Sequence, residues 1–361
     1  FVVQIDDLVV GAPEVGDREP AAARLGVALD AYAAAGLPVA AHKVEQDAHK
    51  ALGMELAPSR CTVGAPAAKR ARVTGALLAV AQWSAAPSRL LESIVGHCTF
   101  AKQPAVLDWD ALEGADVCVL GAPFDMGTQY RAGARFGPRA IREASTLFSF
   151  GHAGMYDFED DVTYLPQDGI KIVDIGDADM VHTDTLKCHD NIEYAVRKIL
   201  EAGAMPVTLG GDHSVHIPCI KAFDDQEPVH IIHIDAHLDF VDERHGVRYG
   251  HGNPLRRASE MKHVTGFTQL GIRFVSSSNR ADYDAARKAG SDILSVRDVR
   301  KLGTEGVLAR VPKGKRYYCT IDIDGFAPSI APGTGTPSHG GFLYYEVLEI
   351  LQGLTQLGDV A

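Results

Sequence analysis

The sequence predicts an α/β domain built on a mostly parallel sheet, preceded by a segment of a different kind. Three observations carry that expectation. From about residue 104 onward, short runs of β-branched and apolar residues alternate with stretches of helical periodicity, separated by brief Gly-bearing turns. Three of these runs end in His or in paired Asp, as strands do when their carboxyl ends converge on one ligand site. Residues 1–103, by contrast, are Ala-rich and lead into none of these motifs.

In chain order, residues 117–123 form a buried-strand pattern ending in a turn, and a Gly-rich loop follows at 127–137. Pro138 then opens a helix, in the first turn where its missing N–H is tolerated. Residues 171–176 make a second strand. Ile192, Ala195, Val196, Ile199 and Leu200 share one helical face, and Gly203 is placed to stop that helix. The third strand spans 205–209 and the fourth 229–234. Residues 268–274 and 292–296 supply two more, with a polar helix over 279–288 between them, and 317–323 makes the seventh.

Composition narrows the function. With 361 residues and 46% hydrophobic content, the chain can bury a sizeable core. A net charge of -12 argues against nonspecific affinity for nucleic acid or an anionic membrane and suits a small cationic substrate. There is no signal-peptide pattern and no apolar run long enough to span a bilayer. Six cysteines without C-x-x-C spacing read as reduced thiols, which favours a cytoplasmic setting.

In the first 103 residues, helical periodicity is present over 20–35 and 67–83. Asp6-Asp7 lies between apolar runs, as in a hairpin whose turn presents a carboxylate pair. It resembles the Asp-Asp palm motif of retroelement reverse transcriptases. Gly36-Leu37-Pro38-Val39 with Lys43, Leu52-Gly53-Met54-Glu55 and the stretch 91–101 are similar to other parts of that family. The resemblance implies a truncated remnant, and an ordinary solvated turn is the alternative reading of Asp6-Asp7. No polymerase activity is expected, because two-metal phosphoryl transfer needs a further palm carboxylate.

The chemistry concentrates in three places. Asp235, His237 and Asp239 stand at i, i+2 and i+4 after the strand at 229–234, so an extended chain presents all three on one side. Carboxylates alternating with an imidazole suit a divalent cation. His213 closes Gly210-Gly211-Asp212-His213, and the apolar run at 317–323 terminates in the pair Asp322 and Asp324. Singly, His213 could be a hydrogen-bonded histidine at a strand end, and Asp322 a turn or cap residue.

Together, in this order and at these separations, the three motifs resemble the signatures of the ureohydrolases, which include arginase, agmatinase and related guanidino-group hydrolases. The resemblance runs from about Val117 to the end of the chain. It implies a three-layer α/β/α fold over residues 104–361. It also implies two divalent metal ions held by His213, Asp235, His237, Asp239, Asp322 and Asp324, with Asp235 and Asp322 bridging. Mn(II) is the family's usual metal, and the ligand set is also compatible with Ni(II) or Co(II). Two such cations activate water at neutral pH and stabilise charge at the attacked carbon.

Residues 127–138 and 331–337 resemble the agmatinase branch, which implies hydrolysis of agmatine to putrescine and urea, a step of polyamine biosynthesis. Ser338-His339-Gly340-Gly341-Phe342 leaves free guanidine or a guanidino acid as the alternative substrate. A noncatalytic metal-binding remnant of the fold is a third reading. Asp239 and His251 are the expected catalytic residues, with His251 resembling the family's proton shuttle to the departing amine. His245, or a plain loop role for His251, remains the alternative. His216, His230 and His233 fall outside the ligand pattern and read as supporting residues. Arg131 and Arg135 would line the mouth or a subunit contact, and a complete chain is expected to form a homo-oligomer. The resemblance further implies C-terminal truncation: Gly358-Asp359-Val360-Ala361 stands where the family begins its last strand, between the strands at 205–209 and 317–323, followed by a substrate-binding Glu.

Overall fold

A computed structural model describes residues 97–148, 155–164, 169–273 and 278–361, all within one compact unit. The features expected at Asp6-Asp7, over 20–35 and over 67–83, with the reverse-transcriptase resemblance built on them, lie outside the described residues.

Ten strands and seven α-helices make up the described α/β unit. The strands are β1 (Val117–Ala122), β2 (Met155–Asp157), β3 (Val162–Tyr164), β4 (Ile172–Asp177), β5 (Met205–Gly210), β6 (Val229–Ile234), β7 (Val264–Leu270), β8 (Ser291–Leu294), β9 (Arg316–Ile321) and β10 (Asp359–Val360). The helices are α1 (Gly137–Ser145), α2 (Thr185–Glu201), α3 (His216–Lys221), α4 (Pro254–Ala258), α5 (Arg280–Lys288), α6 (Val296–Leu308) and α7 (Tyr344–Leu354). The strands pair in parallel in two sheets, ordered β4-β1-β5 and β10-β9-β6-β7-β8, and β2 and β3 form a separate antiparallel hairpin. β5 and β10 are outer strands of their sheets. The residues expected to begin a last strand form β10, paired with β9.

Why these segments fold as they do is visible in their ends and faces. Every residue of β6 is buried, the condition of a strand covered on both sides, and the run of Val229, Ile231, Ile232 and Ile234 supplies that burial. α2 starts where the Asp184 side chain accepts from Lys187 N and stops at Gly203, whose φ of 75° few other residues tolerate. α5 and α6 each open on a capping box, Asn279 with Asp282 and Ser295 with Asp298.

Boundaries differ from expectation by two or more residues at three strands. β7 starts four residues earlier than residue 268 and ends at Leu270, because Gly271 (φ 101°) turns the chain and donates to Leu294 O. β8 ends at Leu294, since Ser295 caps the next helix. β9 ends at Ile321, and Ile323 sits in a 3₁₀ turn capped by the Asp322 side chain. Sequence reasoning did not anticipate α6, where Gly303 (φ 69°) interrupts the helical periodicity, nor α7 and the β2–β3 hairpin.

Candidate metal centre

The ligand-type side chains gather where β5, β6 and β9 end. The β5 exit depends on glycine, because a Cβ on Gly211 would stand 2.0 Å from Phe124 O and 2.6 Å from Ala122 O. That close approach lets Asp212 reach back. Its carboxylate accepts from Gly127 N at 2.7 Å and Ser214 N at 2.9 Å, tying the Gly-rich loop to the 3₁₀ turn that carries His213. On the β6 side, Asp239 adopts φ 52°, a left-handed conformation that Asp tolerates better than most residues. Its carbonyl accepts from Leu255 N at the start of α4 at 3.1 Å, which holds the strained turn in place.

The structure brings all six predicted ligands together. His213 Nδ1 lies 2.9 Å from Asp235 Oδ2, 2.8 Å from Asp239 Oδ2 and 3.3 Å from Asp322 Oδ2. Despite that crowding, Nδ1 is a buried atom without a hydrogen-bond partner. His237 Nδ1 lies 3.1 Å from Asp324 Oδ2 and 3.5 Å from Asp235 Oδ1. Two groups therefore have the compactness of a cation site, one containing His213, Asp235 and Asp239, the other Asp235, His237 and Asp324, with Asp235 common to both. Asp322 faces His213 while its Oδ1 accepts from Asp324 N at 2.9 Å, so the ligand reading and the cap reading both describe it. Burial first, and then repulsion from neighbouring carboxylates, holds Asp322 and Asp324 above the usual carboxylate range. An orphaned imidazole nitrogen among carboxylates that repel one another is a donor set that fits divalent cations.

A row of polar side chains supports the cluster from below. Gln269, His233 and Thr320 stand opposite one another in register across β7, β6 and β9, all fully buried. Gln269 Nε2 lies 3.0 Å from His233 Nδ1 and donates to Leu238 O at 2.9 Å, and His233 Nε2 lies 2.9 Å from Asp235 Oδ2. His233 is close enough to the first group to be a ligand. Both of its ring nitrogens, however, are occupied by Gln269 and Asp235, so its geometry is that of a residue orienting Asp235. Thr320 Oγ1 lies 2.9 Å from both His213 Nε2 and His216 Nε2, and His216 Nδ1 lies 2.9 Å from Tyr318 OH. When His213 donates from Nε2 to Thr320, its Nδ1 presents a bare lone pair to the carboxylates, the form a cation ligand needs.

Above the cluster opens a cavity of about 240 Å³ lined by the site residues together with Gln129, Tyr130, Arg244, His251 and Thr336. His251 is brought to the site, its backbone N donating to Gly127 O at 3.1 Å. His245 lines an adjoining cavity instead. Thr336 donates to Asp324 Oδ2 at 2.9 Å. Of the two arginines expected at the mouth or at a subunit contact, Arg135 is bound to the buried Asp125 within its own loop, with Nε 2.6 Å from Oδ1, while Arg131 stacks over Tyr130. Sequence reasoning missed Thr320, Gln269, Arg244 and the tying role of Asp212. Thr320 stands two residues before Asp322 on the same strand face, a signal that was available. The place of Gln269 depends on which strands pair, which no local pattern records.

Comparison with known proteins agrees with this geometry. Residues 115–361 match the model of the arginase family. The chain is 36% identical over 269 residues to guanidinopropionase of Pseudomonas aeruginosa, covering 73% of this chain and 81% of that protein. It is 31% identical over 272 residues to the mitochondrial agmatinase of Gallus gallus, covering 74% and 77%. Among solved structures, proclavaminate amidino hydrolase from Streptomyces clavuligerus superposes with a TM-score of 0.66 at 32% identity, covering 74% of this chain and 89% of that one.

Proposed function

Because the chain belongs to the arginase family, we propose that it hydrolyses the C–N bond of a linear guanidino compound, releasing urea and an amine. The observation that carries this reading is the buried His213 Nδ1, orphaned among three carboxylates at a cavity floor. His213, Asp235, His237, Asp239, Asp322 and Asp324 would hold two divalent cations, with Mn(II) first among Mn(II), Ni(II) and Co(II). When bound, the cations supply an activated water and Lewis-acid stabilisation of the charge that develops at the guanidino carbon. The protein's own groups do the rest. The four carboxylates offset the charge of two divalent ions, so that a cationic guanidinium can approach the cluster, and Thr336 keeps Asp324 oriented. His251, on the cavity wall, delivers a proton to the departing amine nitrogen.

Agmatine is the substrate expected from the resemblance of 127–138 and 331–337 to agmatinases, and the likeness to the Gallus gallus agmatinase supports it. Guanidino acids are the second reading, supported by the likeness to guanidinopropionase. No helix among the described residues is long and apolar enough to cross a membrane.

The test is urea release from agmatine, guanidinopropionate, guanidinobutyrate and free guanidine by the chain loaded with Mn(II). Asp235→Asn, which removes charge at the carboxylate shared by both groups, is expected to lose at least 1000-fold in kcat, on the order of 4 kcal/mol of barrier. A metal-loaded chain that binds both ions yet releases no urea from any of the four substrates would show a noncatalytic metal protein instead.

A further inference from the structure

We infer that Tyr318 is a positioning residue for the proposed cation site: its hydroxyl accepts the ring proton that His216 must carry on Nδ1 for His213 to keep its own Nδ1 bare. This rests on the ligand set proposed above and gives a role to residues that the set leaves without one.

The sequence places these residues in a row. Tyr318 and Thr320 stand at i and i+2 on β9, so both side chains leave the same face of the strand. His213 and His216 are three residues apart, where a 3₁₀ turn runs into α3, and their ring centroids lie 4.6 Å from one another. All four side chains are buried, and Tyr318 meets Phe223 edge-on. His213 Nε2 lies 2.9 Å from Thr320 Oγ1, Thr320 Oγ1 2.9 Å from His216 Nε2, and His216 Nδ1 2.9 Å from Tyr318 OH. His216, Thr320 and Tyr318 are not among the described residues that line the site cavity, so their influence on the site passes through His213.

Proton counting gives the row a direction. His213 offers a lone pair at Nδ1 only when its ring proton is on Nε2, and that proton goes to Thr320 Oγ1. A hydroxyl has a single proton, and the one on Thr320 is then directed to His216 Nε2. Both nitrogens of His216 face hydroxyls rather than an acid, so this buried imidazole is neutral. A neutral imidazole that accepts at Nε2 carries its proton on Nδ1, which donates to Tyr318 OH. The opposite arrangement reverses every bond at once. His216 then donates from Nε2 to Thr320, Thr320 donates to His213 Nε2, and the His213 proton moves to Nδ1, where it excludes a cation. Removing the Tyr318 hydroxyl bears unequally on the two arrangements. It strands a buried N–H in the first and only a bare ring nitrogen in the second, and orphaned N–H groups are the rarer in folded proteins. The phenol therefore favours the arrangement that leaves His213 ready for a cation.

The experiment uses the full chain with isotope-labelled histidines, loaded with Zn(II) as a diamagnetic cation, and reads the ring nitrogens by nuclear magnetic resonance. The His216 signals are those lost in His216→Leu. Calorimetric titration with Mn(II), and denaturation with chelator present, are run on the wild type, Tyr318→Phe, His216→Leu and the double variant. The wild type is expected to show His216 protonated on Nδ1, the tautomer a free histidine disfavours. Tyr318→Phe, which keeps the ring contacts, is expected to shift His216 toward the Nε2 form and to weaken Mn(II) binding about 10-fold. In the His216→Leu background the same change should leave Mn(II) affinity where it was, because the hydroxyl acts through His216. His216 protonated on Nε2 in the loaded wild type overturns the inference without recourse to any variant. So does a Tyr318→Phe protein that loses stability yet binds Mn(II) as the wild type does, which is the mark of packing alone. Either result leaves the ligand set standing. A wild type that binds no cation refutes the ligand set itself, and the inference falls with it.

Discussion

Thr320→Val tests whether the buried hydrogen-bonded row, rather than the ligands alone, sets the metal centre. The side chains are nearly the same shape, and the change deletes one hydroxyl that stands 2.9 Å from two imidazole nitrogens in a fully buried position. His213 Nε2 and His216 Nε2 each lose a partner, and a buried group left unsatisfied costs roughly 1–3 kcal/mol. The metal-free protein should therefore lose about 2–6 kcal/mol, a large part of a typical domain's stability of roughly 5–15 kcal/mol. Cation affinity should fall about 10- to 100-fold, the usual effect of removing the partner that orients a ligating histidine. Thr320→Ser keeps the hydroxyl and loses only a methyl, costing about 1 kcal/mol. The measurements are urea denaturation with chelator present and calorimetric titration with Mn(II). Valine and serine variants with equal metal affinity would refute the reasoning, since the hydroxyl would then be irrelevant to the ligand it touches.

Three further outcomes are expected. Gln269→Leu removes the donor to His233 and to Leu238 O, so Asp235 loses its fixed orientation and Mn(II) affinity should fall about tenfold by calorimetry; an unaltered affinity would place His233 and Asp235 beyond the influence of Gln269. Gly211→Ala forces a methyl onto two backbone carbonyls and should cost about 3 kcal/mol or more, read as a lost or sharply lowered thermal transition. His189 is packed edge-on against Phe124 and Tyr249 with Nε2 unpartnered, and burial pushes its pKa down from 6.5 to about 4. The neutral form is the one the fold accepts, so this contribution is complete above pH 6.5 and is lost as pH falls toward 4. It amounts to about 3 kcal/mol in total. His189→Phe should remove that share of the acid destabilisation while keeping the ring contacts, and stability curves for the two proteins that run parallel between pH 6.5 and 4 would contradict it.

The parts of this fold legible in the sequence were those encoded locally. β1, β4, β5 and β6 announce themselves as apolar runs with a turn residue at the end, and α2 as one apolar face with a glycine stop. The six ligand-type residues were legible through the three motifs that carry the ureohydrolase resemblance. The period-2 spacing expected after 229–234 does not place them, because β6 ends at Ile234, Asp239 takes a left-handed turn, and His213 and Asp324 sit in 3₁₀ turns. What was not legible depends on pairing. Gln269 matters because β7 lies beside β6 in a register that sets it opposite His233. Arg244 reaches the site cavity from a two-residue turn, and the cavity's other walls come from distant loops. α6 escaped for a different reason, since the positive φ at Gly303 breaks the repeat by which a helix is recognised.

The division of the strands into two sheets carries a consequence for how the protein comes apart. His213 follows β5, in the sheet β4-β1-β5, whereas Asp235, His237, Asp239, Asp322 and Asp324 follow strands of the other sheet. An ion held at the proposed site would therefore be a clasp between two halves that share no backbone ladder among the described residues, assisted by the bonds from His213 and His216 to Thr320. A cation that binds only the fastened state adds about 2.7 kcal/mol when present at a hundred times its dissociation constant. With chelator, amide exchange should become faster along β5 than along β6, because one half can loosen while the other stays paired. With metal restored, the two should protect together, and the supply of cation would then govern the lifetime of the folded chain as well as its capacity for chemistry.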